Sequence, residues 1–224
     1  MPKCRYLGNS CIEIIGFKDH FLVDINYIET PQKGIKKLFL THEHKHHTNI
    51  DQIAELKKTY LETDEEKKAR LEAEEEVEKP SLEIYAPKSV KKKYDLEIHQ
   101  IVKNKEIQLE EFAIEVFPVD CHESDECIAY LIKKGDITIL HTADTSKFSK
   151  SLRKPKLTID YCFIACYEDL FMEYLDFIKE VNPKVVFPYD FKDDEEDAPK
   201  KLVEFLKEKG FQAQFLEIGA DFEF

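Results

Sequence analysis

The sequence predicts a layered α/β sandwich. Three observations point there: short β-type runs alternate with amphipathic helical patterns, the strand-rich stretches fall into two halves each followed by helices, and hydrophobic residues make up 42% of the 224 residues. A chain of this length and apolar content can bury one sizeable core, and no linker or repeat divides it.

The elements read in order. "KCRYL", "CIEIIGF" and "HFLVDI" are short runs rich in Ile, Val, Phe and Tyr, separated by the turn signals "GNS" and "GFKD". "KKLFLT" is a fourth strand, and it runs into "THEHKHHTNI". Residues 50–79 then change character. Ile53, Leu56 and Tyr60 fall at helical spacing, and Thr63 with Glu66 forms a capping-box pattern that starts a second, charge-rich helix ending before Pro80. Residues 50–79 therefore read as a solvated helical insertion within a single domain 1–224, with a lid or dimer arm as the sharper alternative. Strands follow at "SLEIYAP", "LEIHQIV", "FAIEVFPV", "CIAYLIKK", "DITILHT" and "TIDYCFIAC", with a short helix at "KSVKKKY". "EDLFMEYLDFIKEV" and "EDAPKKLVEFLKEKG" are helices flanking the strand "KVVFPY", and "FQAQFLEI" and "DFEF" close the chain as strands.

Charge and composition narrow the function. The net charge is −13, which repels a polyanion and argues against nucleic acid unless a local basic groove exists. No apolar run is long enough to span a bilayer, and "MPKCRYLGNS" lacks the apolar centre of a secretory signal, so a cytoplasmic protein with six reduced cysteines is expected. A homo-oligomer is left open.

The chemistry concentrates at strand exits. His42, His44, His46 and His47 crowd the loop after "KKLFL". His122 follows "FAIEVFPVD", Asp144 follows "DITILHT" and Asp190 follows "KVVFP". Imidazole and carboxylate suit zinc, manganese or iron, and ligand sites in α/β proteins favour the carboxyl ends of strands. Each residue also has a plainer reading: a surface histidine tract, or for Asp190 the head of the acidic run "DFKDDEED". Cys162 and Cys166 share a strand face with Ile164 and read as core thiols; Cys121 and Cys127 flank His122 without a recognised metal spacing.

These residues resemble the metallo-β-lactamase superfamily over nearly the whole chain. "YLGNSCIEI" and "FLVDIN" are similar to its opening strands, "THEHKHH" to its HxHxDH signature, "VDCHES" to its third-histidine segment, and "LHTADTS" to the strand ending in its bridging aspartate. The nearest branch resembles small stand-alone hydrolases akin to ascorbate-phosphate lactonase. The resemblance implies a four-layer αββα sandwich and two divalent ions, zinc foremost, with manganese or iron as alternatives. By position it implies His42, His44 and His122 on the first ion, Asp144 as the bridge and His47 on the second. His46 stands where the motif has Asp, and Asp190 where the family has its last His. The two departures together read as an exchange that conserves the ligands of the second ion. Asp24 is expected to orient a ligand histidine, or else to be a strand-end turn residue. His141 is either a supporting neighbour of Asp144 or a packed histidine.

The implied activity is hydrolysis of a small, anionic ester, lactone or phosphoester by metal-bound hydroxide, with no separate side-chain nucleophile. A nucleic-acid hydrolase of the same fold and a non-catalytic metal-binding protein are the alternatives. The basic segment after Asp144, with Lys147, Lys150, Arg153, Lys154 and Lys156, is either a substrate-anion reader or a solvated loop.

Overall fold

The computed structural model describes residues 1–73, 77–153, 158–192 and 194–224. Two seven-stranded sheets stack face to face, with helices on the outside. The first sheet holds β1 (Lys3–Gly8), β2 (Cys11–Ile15), β3 (His20–Val23), β4 (Lys37–Phe39), β5 (Glu83–Ala86), β6 (His99–Gln100) and β14 (Asp221–Glu223), in the order β14-β1-β2-β3-β4-β5-β6. The second holds β8 (Ala113–Cys121), β9 (Cys127–Lys134), β10 (Ile137–His141), β11 (Thr145–Lys147), β12 (Tyr161–Ala165) and β13 (Val185–Tyr189), in the order β11-β8-β9-β10-β12-β13, and β7 (Glu106–Gln108) pairs with β8.

Strand periodicity sorts the first sheet's side chains into two cores. Tyr6, Ile12, Ile14, Phe21, Val23 and Phe39 point toward the second sheet, where Phe21 meets Phe112 at 5.4 Å and Phe39 meets Tyr130 at 5.8 Å between ring centroids. Leu7, Cys11, Leu22, Leu38 and Leu40 point the other way, onto α1 (Ile50–Thr59) and α3 (Lys88–Tyr94). α4 (Phe171–Val181) and α5 (Asp197–Glu208) cover the second sheet, burying Tyr174, Phe177, Ile178, Leu202 and Leu206. The architecture is the αββα sandwich that the sequence leads one to expect.

Segment 50–79 has two parts. α1 buries Ile53 and Leu56 in the core under the first sheet, so it is a layer of the fold. α2 (Asp64–Glu72) buries nothing; Thr63 and Glu66 close the capping box at its start. The expected strand "FQAQFLEI" is not one. Val186 alone exchanges bonds with Gln212 and Gln214, and Ala213 makes a single isolated bridge before the chain leaves the sheet edge. Among the described residues, no helix is long and apolar enough to cross a membrane.

The expectation of six reduced thiols is corrected at one pair. Cys121 ends β8 and Cys127 begins β9; the antiparallel pairing sets their Cα atoms 6.0 Å apart and they form a disulfide. Cys4, Cys11, Cys162 and Cys166 are free and buried.

Candidate metal centre

The site is built at the carboxyl end of β4. There the chain passes Thr41 and enters a tight turn in which the His44 carbonyl accepts from the amides of His47 and Thr48, at 3.0 and 2.8 Å. The Thr48 hydroxyl closes the turn on the His42 carbonyl at 2.8 Å. Ring centroids then lie 4.1 Å apart for His42–His47, 4.4 Å for His46–His47 and 4.5 Å for His42–His44.

Asp24, one residue past β3, is the anchor behind the rings. It sits at φ +58°, a left-handed conformation that a short polar side chain tolerates. Its buried carboxylate accepts from the Thr41 amide at 2.7 Å, the Thr41 hydroxyl at 2.8 Å and His47 Nδ1 at 2.6 Å. The Thr41 hydroxyl oxygen accepts in turn from His42 Nδ1 at 3.0 Å. With Nδ1 of both rings engaged from behind, each Nε2 presents its lone pair to the site.

Asp144 faces that lone-pair array. It follows β10 through Ala143, which takes φ +56°. Asp144 Oδ1 lies 3.4 Å from His42 Nε2; Oδ2 lies 3.4 Å from His46 Nε2, 3.7 Å from His47 Nε2 and 3.8 Å from His44 Nδ1. These separations are at or beyond the outer limit of a hydrogen bond. They approach the roughly 3.3 Å between two N or O ligands on one tetrahedral ion with bonds near 2.0–2.1 Å. His42 Nε2, His47 Nε2 and Asp144 Oδ1 are buried without a hydrogen-bond partner, a costly arrangement unless another group satisfies them. A donor atom from each of His42, His46, His47 and Asp144 lies within 4.8 Å of the others. Orphaned imidazole and carboxylate atoms in one small volume fit a divalent metal.

Electrostatics agree with the geometry. Burial opposes ionisation of Asp144, but contacts with His42 and His46 and the charge of His47 outweigh it and hold the carboxyl far below its usual range. Burial pushes His47 well below the ordinary imidazole value, with His42 adding to the effect, so it stays neutral and able to ligate. Burial also opposes protonation of His46, but contact with Asp144 and the charges of Asp190 and Asp144 win and raise it. Burial lifts Asp24 to about 6 against the charges of His141 and His42 and the Thr41 bonds.

The other predicted residues lie as follows. Asp190, at the end of β13 with φ +66°, accepts from the Tyr167 hydroxyl at 2.6 Å; it is felt electrostatically by His46 and His47 but lies outside the tight donor cluster. His141 is fully buried, lies 3.3 Å from the Ser10 carbonyl and 4.7 Å from the Tyr189 ring, and is pushed down to about 4 by burial. Its Nδ1 accepts from the Ala143 amide at 3.4 Å, which steadies the turn before Asp144. His122 is not brought to the cluster. Its side chain is 88% exposed beside Glu123, because the residue that β8 turns inward is Cys121. Lys147 and Lys150 are exposed, and Arg153 is committed to Glu173 and to Glu180 at 3.4 Å. Lys154 and Lys156 lie outside the described residues.

An open cleft of about 720 Å³ lies over the histidines, with Lys45, Lys93, Ser146 and Tyr167 on its walls and His122 at its lip. Lys147 and Lys150 do not line it. Of the wall residues, Lys45 sits inside the histidine loop and Tyr167 follows a strand end, signals available in the sequence; Lys93 comes from a Lys-rich helix with nothing to single it out. Glu43, between two histidines of the motif, turns away from the site. Its carboxylate accepts from the Asp125 amide at 2.8 Å and the Ser124 hydroxyl at 3.1 Å, clamping the β8–β9 loop.

Comparison with known proteins supports this assignment of architecture. The model of the beta-lactamase superfamily domain matches residues 20–185, well over half of the chain. Among curated proteins, none matches by sequence. Among solved structures, the metallo-beta-lactamase fold protein YhfI from Bacillus subtilis superposes with TM-score 0.76 at 16% identity, covering 100% of both chains. The metallo hydrolase Igni18 from Ignicoccus hospitalis gives 0.70 at 14% identity, covering 100% of this chain and 99% of its own. The diiron β-hydroxylase CmlA from Streptomyces venezuelae gives 0.72 at 13% identity, covering 100% of this chain but 54% of its own. With the family model matched, two stacked sheets in place and a histidine–aspartate cluster at their strand ends, the chain belongs to the metallo-β-lactamase branch of the beta-lactamase superfamily.

Proposed function

We propose that this protein is a dinuclear metal-dependent hydrolase of a small anionic ester, lactone or phosphoester, in the stand-alone branch that resembles ascorbate-phosphate lactonase. One observation carries the reading: the two oxygens of Asp144 face different imidazoles at ligand-to-ligand distances, while buried donor atoms around them have no other partner. Asp144 would bridge, His42 and His44 would serve the first ion, and His46, His47 and Asp190 the second. Zinc fits the donors best, with manganese or iron as alternatives. Bound there, divalent ions supply Lewis acidity, which lowers the pKa of water and polarises the oxygen of an electrophilic centre.

The chain's own residues do the rest. Asp24 and Thr41 hold the rings of His47 and His42 from behind. The Tyr167 hydroxyl, on the cleft wall, donates to Asp190 and holds its carboxylate. Lys93 spends one N–H on the Glu43 carbonyl at 3.0 Å and has others for an anionic group, and Lys45 also lines the cleft. These two lysines replace Lys147 and Lys150 as the proposed readers of substrate charge.

The test is metal content followed by turnover. The chain reconstituted with zinc should carry two ions after gel filtration and hydrolyse anionic esters or phosphoesters. Asp144→Asn should lose both properties. A wild-type chain that retains no divalent ion overturns the reading.

A further inference from the structure

The sulfurs of Cys121 and Cys127 lie beside the candidate metal centre, whereas His122, between them in sequence, points into solvent. A donor atom from each of His42, Cys121, Cys127 and Asp144 lies within 4.8 Å of the others. Cys127 Sγ packs against the His42 ring, 3.6 Å from Nδ1, the nitrogen that Thr41 also approaches. Cys127 is buried, whereas Cys121 is half-buried at the end of β8, one residue from His122 at the cleft lip. The orphaned Nε2 of His42 and Oδ1 of Asp144 belong to the same group of residues. Cys121 therefore lies at the end of β8 and Cys127 at the start of β9, and both ends meet the site. Glu43 also ties the intervening loop through Ser124 and Asp125, contacts that do not depend on the disulfide.

We propose that Cys121 and Cys127 form a redox-controlled donor pair: reduced, they supply thiolate to the site of His42 and Asp144; joined as a disulfide, they withdraw it. This rests on the metal-centre reading above. The thiolate is the form of cysteine that binds metal, and a disulfide sulfur carries no such charge. The chemistry balances with an external dithiol. Its thiolate attacks one sulfur of the Cys121–Cys127 bond, and its second thiol resolves the mixed disulfide. Two electrons and two protons pass to the protein, which ends as two thiols, while the donor ends as a cyclic disulfide. Each thiol that then binds a metal ion releases its proton to solvent. Because thiolate is a soft ligand, the reduced chain would favour zinc or cobalt over manganese, and the oxidised chain would lose that preference.

The experiment is a cobalt(II) titration of the unmutated chain. It is run first with the disulfide intact, then after reduction by a phosphine that is removed before metal is added. The reduced chain should show a thiolate-to-cobalt charge-transfer band in the near ultraviolet and bind cobalt at least about tenfold more tightly, no less than an outer-shell partner contributes. The Cys121→Ser/Cys127→Ser double variant should bind cobalt without the band, and His122→Ala should keep it. Alkylation of reduced wild-type chain, mapped by mass spectrometry, supplies a test free of any variant: zinc should slow labelling of Cys121 and Cys127 at least about tenfold. Cobalt bound equally in both states without the band, or a band that survives the double variant, overturns the thiol pair and leaves the metal centre standing. No stoichiometric cobalt in either state overturns both.

Discussion

The loops after β4 and β8 both carry histidine at a strand exit, yet they differ in what stands behind the ring. His47 has its Nδ1 on a buried carboxylate at 2.6 Å and its Nε2 aimed at Asp144. His122 has only Glu123 at 3.7 Å, and both side chains lie in solvent. A buried acceptor behind the ring holds His47 toward Asp144, and His122, which has none, is a surface side chain.

The largest expected break in this contrast is at Asp24. Asp24→Ala strands the Thr41 amide and His47 Nδ1 in the interior, which should cost about 3 kcal/mol of stability in a denaturant melt and 10–100-fold in zinc affinity, both approximate. Next comes the metal itself. Free zinc at 100 times its Kd should raise stability by about 2.7 kcal/mol, and a chelator should remove that gain in a thermal melt; an unchanged curve after verified metal exchange argues against a preformed centre. Asp190→Ala should lower bound metal from two ions to about one per chain by elemental analysis, with the site of His42 and His44 retained. Lys45→Ala and Lys93→Ala should each raise KM for an anionic ester roughly tenfold and leave a neutral analogue unchanged, while Lys150→Ala changes neither. His122→Ala is the smallest: stability should stay within ~0.5 kcal/mol of wild type, as for an exposed side chain.

Much of the architecture was legible in the sequence because burial follows strand period. Phe21 and Val23 alternate with Leu22 between two cores, and that alternation is visible in "HFLVD". The capping box at Thr63 and Glu66 was equally plain, since it is a local pattern. Short elements were not. β11 is "TSK", with no apolar signature, and exists because Thr145 and Lys147 pair with the end of β8. In "FQAQFLEI" the apolar residues pack on the core without a ladder. At the site, the four histidines and Asp144 could be listed from sequence, because strand exits are readable. The direction of His122 could not, because it depends on which side of β8 faces inward at its last residue. The Cys121–Cys127 bond depends on the pairing of β8 with β9, and the approach of Lys93 and Tyr167 on contacts between distant segments.

α2 has no buried residue, and the contacts that tie it down are charged: Lys33 with Asp64 at 2.6 Å, Lys36 with Glu66 at 2.5 Å, and Arg70 with Glu62 at 2.6 Å. The Lys33 and Lys36 pairs are exposed and weaken as salt rises, and a helix without an apolar face has little else to hold it. Its amides should therefore exchange with deuterium long before those of α1, which is pinned by Ile53 and Leu56. Protease nicking should concentrate there and quicken with ionic strength, while the sandwich on either side stays folded and the cut chain keeps its sedimentation behaviour.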